Sequence, residues 1–267
     1  MNFKFVSWNV KRKNFGNINL EFLLDLKADI ILFQEIRPAY KELPDNILEG
    51  FSKYLPIWNN IGSGMAVYSL SKDIKSIRID FDGCIMTVEY ENFFVVNVYA
   101  PSFSMYGTAD YNSWHNLFKK FLVKHNEIKP VIAGGTFNFK TNFVDIPYEE
   151  KKVMNNLIRA GFIDTFQKIF PDKTDAYTYR IRRGEFDRRT DYFFVSENLN
   201  ENIKSADIIE EDLETAHRPI ILDVKLEYDM GNKKNPADEA EKINVEHDSE
   251  DRSCAKENIT LLNNKVI

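Results

Sequence analysis

The apolar runs of this chain stop at an unusual set of polar residues. One run ends at Trp8-Asn9, a second at Gln34-Glu35, a third at Asn97-Val98-Tyr99-Ala100-Pro101, and a fourth at Gly134-Gly135-Thr136-Phe137-Asn138. Later runs begin at Arg189-Thr190-Asp191-Tyr192 and just after Thr215-Ala216-His217-Arg218-Pro219. Loops at strand ends converge over one edge of a rigid scaffold, so carboxylate, amide, phenol and imidazole groups gathered there are material for a polar site. The segment YRIRRGEFDRR, residues 179 to 189, carries Arg180, Arg182, Arg183, Arg188 and Arg189 against Glu185 and Asp187. Such a density of guanidinium groups suits contacts to phosphates. Each piece alone has a plainer reading: Asn9 as a turn residue, Glu35 as a solvated strand end, His217 as a capping or core histidine, the arginines as a solvated loop. Gly134-Gly135 lacks both the Gly-Lys-Ser/Thr of a P-loop and the spacing of a dinucleotide fingerprint.

The elements that must position these groups are legible in the runs themselves. FKFVSWNV, DIILFQE, GMAVYSL, CIMTVEY, FFVVNVYAP, PVIAGG, DYFFVS and PIILDVKL have the length and the β-branched and aromatic content of strands, several buried on both faces. NLEFLLDLKA, WHNLFKKFLVKHN and EEKKVMNNLIRAGF have a helical period. Strands and helices interleave irregularly, which predicts an α/β fold with mixed sheets. No internal repeat of solenoid or propeller length is present.

The chain has 267 residues with 43% hydrophobic and 13% aromatic content, enough for a substantial core, and a formal net charge of −6. From Asp229 to Ile267 there are nine acidic and six basic residues and no aromatics, so this stretch is expected to be a disordered acidic tail after a domain spanning residues 1 to 228. The tail carries half of the net negative charge, and the body is nearly balanced. Acidity therefore excludes a broad basic face without excluding a local one. No apolar stretch reaches membrane-spanning length and no signal-peptide pattern opens the chain, which predicts an intracellular, cytoplasmic protein, with nucleoid or nucleus as further compartments. Cys84 and Cys254 are too few for a disulfide framework and read as free thiols.

In order, the motifs SWNV (7 to 10), ILFQE (31 to 35), NVYAP (97 to 101), G-x-x-N (Gly135 to Asn138), R-x-D-Y-F (Arg189 to Phe193) and AHRPI (216 to 220) resemble the endonuclease/exonuclease/phosphatase superfamily, in its exonuclease III and apurinic/apyrimidinic (AP) endonuclease branch. The resemblance covers residues 3 to 227. It implies a four-layer α/β sandwich, two packed mixed sheets with helices outside, and a hydrolase that cleaves DNA phosphodiesters with magnesium or manganese. By the same resemblance Glu35 would bind the metal, with Asn9 beside it. His217 and Tyr99 would contact the phosphate, Asp191 would be a carboxylate close to the metal or one that supports its ligands from behind, and Asn138 would help position the attacking water. Tyr179 and the five arginines would line the DNA, joined by Lys11.

The sequence departs from the family pattern at three places. Thr136 stands where G-D-x-N has its aspartate, and a hydroxyl is no base near neutral pH. Ala216 stands where S-D-H has the aspartate expected to hold the histidine's tautomer. Lys11 stands where a polar residue lies beside the metal, and its ammonium would repel a divalent cation or substitute for its charge beside Glu35. Weak metal affinity and impaired or absent hydrolysis are the expectation. Arg188 and Thr190 also replace the tryptophan and aliphatic residue of the abasic-sugar pocket. Two alternatives stand beside a DNA-repair phosphodiesterase: a catalytically inactive nucleic-acid-binding relative, and a phosphoesterase acting on a non-nucleic-acid substrate.

Overall fold

The computed structural model describes residues 1–11, 20–37, 52–58, 64–70, 74–139, 148–180, 186–210, 213, 215–227 and 245–247. Two mixed sheets lie face to face. The first has six strands, β1 (Asn2–Asn9), β2 (Ile30–Ile36), β3 (Ser52–Trp58), β4 (Gly64–Ser69), β13 (Ile203–Ile208) and β14 (Ile220–Lys225), in the order β13-β14-β1-β2-β4-β3. The second comprises β5 (Ile74–Asp80), β6 (Ile85–Tyr90), β7 (Phe94–Tyr99), β8 (Val131–Thr136), β9 (Phe162–Asp164), β12 (Asp191–Ser196) and β15 (Val245–His247), in the order β15-β5-β6-β7-β8-β12-β9. A small hairpin-like pair, β10 (Tyr179–Arg180) and β11 (Phe186–Arg188), stands apart from both. Helices α1 (Leu20–Asp25), α2 (Phe103–Asn126), α3 (Tyr148–Arg159) and α4 (Thr165–Ile169) complete the described elements.

The burial pattern explains the layers. Strands β2, β4, β8 and β12 are buried at every position, as near-continuous apolar runs between two covering layers must be. Phe5, Leu32, Val67, Val88, Val95, Ile132, Phe193 and Leu222 meet in the cluster between the sheets. On the outer side of the second sheet Val96, Ala133 and Phe194 pack with Tyr111, Phe118 and Leu122 of α2 and Val153 and Leu157 of α3. On the outer side of the first, Val6, Trp8 and Ile31 pack with Leu23 of α1. The result is the expected four-layer α/β sandwich.

All eight strands expected from apolar runs are present. The strands β3, β5, β9, β10, β11, β13 and β15 were not expected: of these, IKSIRID (β5) and IKSADI (β13) alternate apolar with charged residues and lie near sheet edges, where one face meets water. The segment expected to be a disordered tail falls outside the described residues except for Val245–His247, which pairs parallel with β5. Among the described residues no helix is long and apolar enough to cross a membrane, and Cys84 is a free cysteine.

The sheets are tied together near the edge where the polar strand ends meet. Gln34 Nε2 in the first sheet donates to Asn97 Oδ1 in the second at 2.7 Å, and Asn97 Nδ2 donates back to the Phe33 and Ala66 carbonyls at 3.1 Å each. Both amides are fully buried, so every one of these bonds replaces one that water would otherwise have made. Gly134 and Gly135 serve the same close approach. A Cβ on Gly135 would lie 2.0 Å from the Val98 carbonyl oxygen, and one on Gly134 would lie 2.2 Å from the Phe193 ring. The glycines are a packing requirement of the sheet, in keeping with the rejection of a phosphate-cradling loop.

Candidate active site

Strand direction assembles the site. β1 and β2 run parallel with Asn9 opposite Gln34, so both end at one edge. In the other sheet β7 and β8 run parallel with Tyr99 opposite Thr136, and antiparallel β12 begins there with Asp191 opposite Thr136. An isolated antiparallel bridge joins Tyr179 to His217 just ahead of β14.

A bulge aims Glu35. Between Phe33 and Ile36 the register of β2 on β4 slips by one residue, and Glu35 adopts φ 49° inside a fully buried strand. Bulges of this kind turn a side chain that regular pleating would direct elsewhere, and a left-handed non-glycine residue costs about 1–2 kcal/mol. Lys11 is also left-handed, at φ 49°, because Asn9 Oδ1 accepts a bond from its backbone N–H at 2.9 Å in an Asx-turn.

From there the hydrogen bonds form one continuous chain. Asn9 Nδ2 donates to Glu35 Oε1 at 3.2 Å and to Thr136 Oγ1 at 3.1 Å. Thr136 Oγ1 donates to Asp191 Oδ1 at 2.7 Å, and Thr190 Oγ1 donates to Asp191 Oδ2 at 3.0 Å. His217 Nδ1 meets the same Oδ2 at 2.9 Å, an arrangement in which the ring nitrogen donates and Nε2 points away from the carboxylate. Thr178 Oγ1 accepts from the backbone N–H groups of Thr190 and Asp191, locking the strand entry. Burial pushes the Asp191 carboxyl up, yet the charge and bond of His217 and the hydroxyls of Thr136 and Thr178 outweigh it and hold the carboxyl below its usual value.

His217 is gripped on every side. Its carbonyl accepts from Trp8 Nε1 at 3.2 Å and from Thr215 Oγ1 at 2.5 Å, and its ring lies 4.6 Å from that of Tyr179, centroid to centroid. The expectation that Ala216 leaves this histidine without an orienting carboxylate is corrected here, because Asp191 does that work. Successive residues of an extended segment point to opposite sides, so the partner of residue 217 lies across the strand gap and not next to it in sequence. Asp191 is correspondingly the histidine's partner, with both carboxylate oxygens already accepting bonds.

The remaining expected residues divide. Tyr99, half-buried, stands beside Thr136 by register. Asn138, at φ 56°, donates Nδ2 to the Ala100 carbonyl at 2.6 Å and so clamps the loop after β8 to the end of β7. Arg180 and Arg188 are half-buried on the β10–β11 pair, whose Tyr179 faces Arg188 in register. Arg182 and Arg183 lie outside the described residues. Arg189 is a correction: only 2% exposed, its guanidinium holds both oxygens of Asp164 at 2.9 and 2.5 Å, above the rings of Tyr192 and Phe166. It is a buried anchor for the start of β12 and presents nothing to a phosphate. The sequence reading missed Asp164 and the clamp made by Thr178, and it took Thr190 only as a replaced pocket residue where the structure makes it a donor to Asp191.

The donor set does not fit a hard divalent cation, which takes several oxygen ligands. Asn9 turns its amide nitrogen to the site and commits its oxygen to Lys11 N. Both Asp191 oxygens already accept hydrogen bonds, and Glu35 carries the Lys11 ammonium 3.7 Å from Oε1. Two unit charges about 4 Å apart near a protein surface interact by about 4 kcal/mol, and a divalent ion beside the ammonium would feel about twice that as repulsion. Among the described residues no group of three His, Cys, Asp or Glu is placed to hold a metal.

No family model matches the chain. It is 30% identical over 256 residues to an exodeoxyribonuclease of Bacillus subtilis, covering 84% of this chain and 100% of that protein. It is 27% identical over 256 residues to recombination repair protein 1 of Drosophila melanogaster, covering 83% of this chain but only 37% of that longer protein. Among solved structures it superposes on an AP endonuclease from Archaeoglobus fulgidus with a TM-score of 0.70 at 17% identity, over 84% of this chain and 100% of the other. A 3′ phosphatase, NExo, from Neisseria bound to product DNA hairpin gives 0.68 at 18%, with the same coverage.

Proposed function

This chain belongs to the exonuclease III and AP endonuclease family, and from that premise we propose that it engages DNA through its phosphodiester backbone while the family's metal-dependent hydrolysis is strongly reduced. One relative is by name an exodeoxyribonuclease and another a recombination repair protein, which supports DNA as the ligand. The observation that carries the loss of hydrolysis is the bond from Thr136 Oγ1 to Asp191 Oδ1 at 2.7 Å. The hydroxyl at this position spends its proton on a neighbouring carboxylate and has no basic form near neutral pH, so it cannot take a proton from an attacking water.

The parts that recognise a phosphate are in place in this reading. His217, its Nδ1–H on Asp191, offers Nε2–H to a phosphate oxygen as the imidazolium, Tyr99 stands beside Thr136, and Tyr179 with Arg180 and Arg188 borders the same edge. The reading therefore separates binding from cleavage. Its test is nicking of an abasic duplex with magnesium by the unaltered chain, alongside duplex binding by anisotropy. Binding with turnover at least about a thousandfold below a family nuclease is the expected pair of results, in line with what losing interdependent catalytic groups costs. Robust nicking contradicts it.

A further inference from the structure

We propose that Lys11 is a built-in cation that makes phosphate recognition at this site independent of metal. The inference rests on the reading of DNA as ligand and goes beyond it, naming the group that carries positive charge to the phosphate. Four observations place the ammonium there. Its Nζ lies 3.7 Å from Glu35 Oε1, the oxygen that also accepts from Asn9 Nδ2. The Asx-turn from Asn9 to the Lys11 N–H, with φ 49° at Lys11, fixes the backbone from which the side chain departs. Nζ lies 5.7 Å from the centroid of the Tyr179 ring, and that ring packs on His217. The Lys11 side chain is 48% exposed where Glu35 is 4% exposed, so one flank of the ammonium faces the buried carboxylate and another faces solvent.

An ammonium has three donors and no acceptor. At 3.7 Å the contact with Glu35 is an ion pair and not a hydrogen bond, so these donors can turn to the oxygens of a phosphate seated between Lys11 and His217, with Tyr179 as the wall joining them. Glu35 in turn keeps the lysine at the mouth of the site instead of leaving it free in solvent. The charges of Glu35 and Lys11 cancel, so a phosphodiester arriving at this edge meets no net repulsion from the pair, and a divalent cation meets no net attraction. The ligand class is a phosphate ester of a DNA backbone, bound as a point charge binds it and not through the forked geometry of arginine.

The test is anisotropy of a labelled abasic-analogue duplex with saturating magnesium or with EDTA, over a salt series, for the unaltered chain, Lys11→Asn and Lys11→Arg. The unaltered chain is expected to bind within about twofold in the two conditions, and Lys11→Arg within about threefold of it. Lys11→Asn is expected to lose about five- to tenfold in EDTA and to show a salt slope shallower by about one. A tenfold gain in affinity of the unaltered chain on adding magnesium overturns the proposal, as does unchanged binding by Lys11→Asn in EDTA. Nicking by the unaltered chain in the same tubes counts against reduced hydrolysis and leaves Lys11 to be judged on affinity. Should the duplex not bind, the DNA reading fails and inorganic phosphate becomes the probe. His217 ring resonances that shift with phosphate in EDTA, but not in Lys11→Asn, then support Lys11, and equal shifts in both overturn it.

Discussion

His217 Nδ1 sits 2.9 Å from Asp191 Oδ2, and both side chains are almost wholly buried. The pair fixes the imidazole's orientation and engages one carboxylate oxygen in a bond from the ring. Because the folded Asp191 carboxyl is held below its usual value, its contribution to stability is present above the unfolded value of about 3.9 and is lost as pH falls through the depressed folded value. Asp191→Asn is expected to lower stability by about 3–5 kcal/mol at neutral pH, the usual cost of breaking a buried pair, and to flatten the acid limb of urea unfolding midpoints. An unaltered acid limb in the variant contradicts the assignment.

Arg189 and Asp164 form a second buried pair, with a structural role alone. Removing the guanidinium strands a carboxylate that is 7% exposed. Arg189→Ala is expected to cost about 3–5 kcal/mol in chemical denaturation, and Arg189→Met with Asp164→Leu much less, since no lone charge remains. Where the single variant stays folded, its DNA salt slope should equal that of the unaltered chain. A shallower slope would return Arg189 to the DNA-contacting set.

His115 on α2 is buried against the Tyr111 and Trp114 rings, and burial pushes its imidazole down to about 3. The unfolded chain takes up a proton there near pH 6.5 while the folded chain does not, so stability rises with pH between about 3 and 6.5. His115→Phe is expected to weaken that dependence by a few kcal/mol across the window, read from unfolding midpoints at several pH values. Identical pH profiles would show that the imidazole is not buried neutral.

Gly135, at φ +147° and with the Val98 carbonyl 2.0 Å from any added Cβ, sits one residue before Thr136. Gly135→Ala is expected to destabilise by at least about 2 kcal/mol through backbone displacement, and to weaken DNA binding by shifting the Tyr99 and Thr136 edge. Wild-type thermal stability in this variant would contradict the close approach of β7 and β8.

What the sequence disclosed, and what it hid, follows from range. Strands such as ILFQE and DYFFVS are buried on both faces, so their apolar runs announce them locally. IKSADI alternates with charge and gains its place only by pairing with β14. The site residues Asn9, Glu35, Thr136, Asp191 and His217 were legible because each ends or begins an apolar run. The partner of His217 was not, because adjacency in sequence suggested residue 216 while register places Asp191 there. Burial of Arg189 was equally hidden, since its partner lies 25 residues away on another strand. The ammonium beside Glu35 was implied by the family resemblance at position 11, whereas the Asx-turn that aims it was not.

In the proposed reading this edge binds DNA phosphate through Lys11 and His217 without a metal and with little cleavage. Its most direct test is magnesium-dependent nicking of an abasic duplex by the unaltered chain, by Thr136→Asp with Ala216→Asp, and by those two changes with Lys11→Asn. No appreciable nicking is expected from the first, little from the second because the ammonium still stands beside Glu35, and a gain of at least about a hundredfold only in the third. Magnesium-dependent nicking by the unaltered chain at the rate of the triple variant would contradict it.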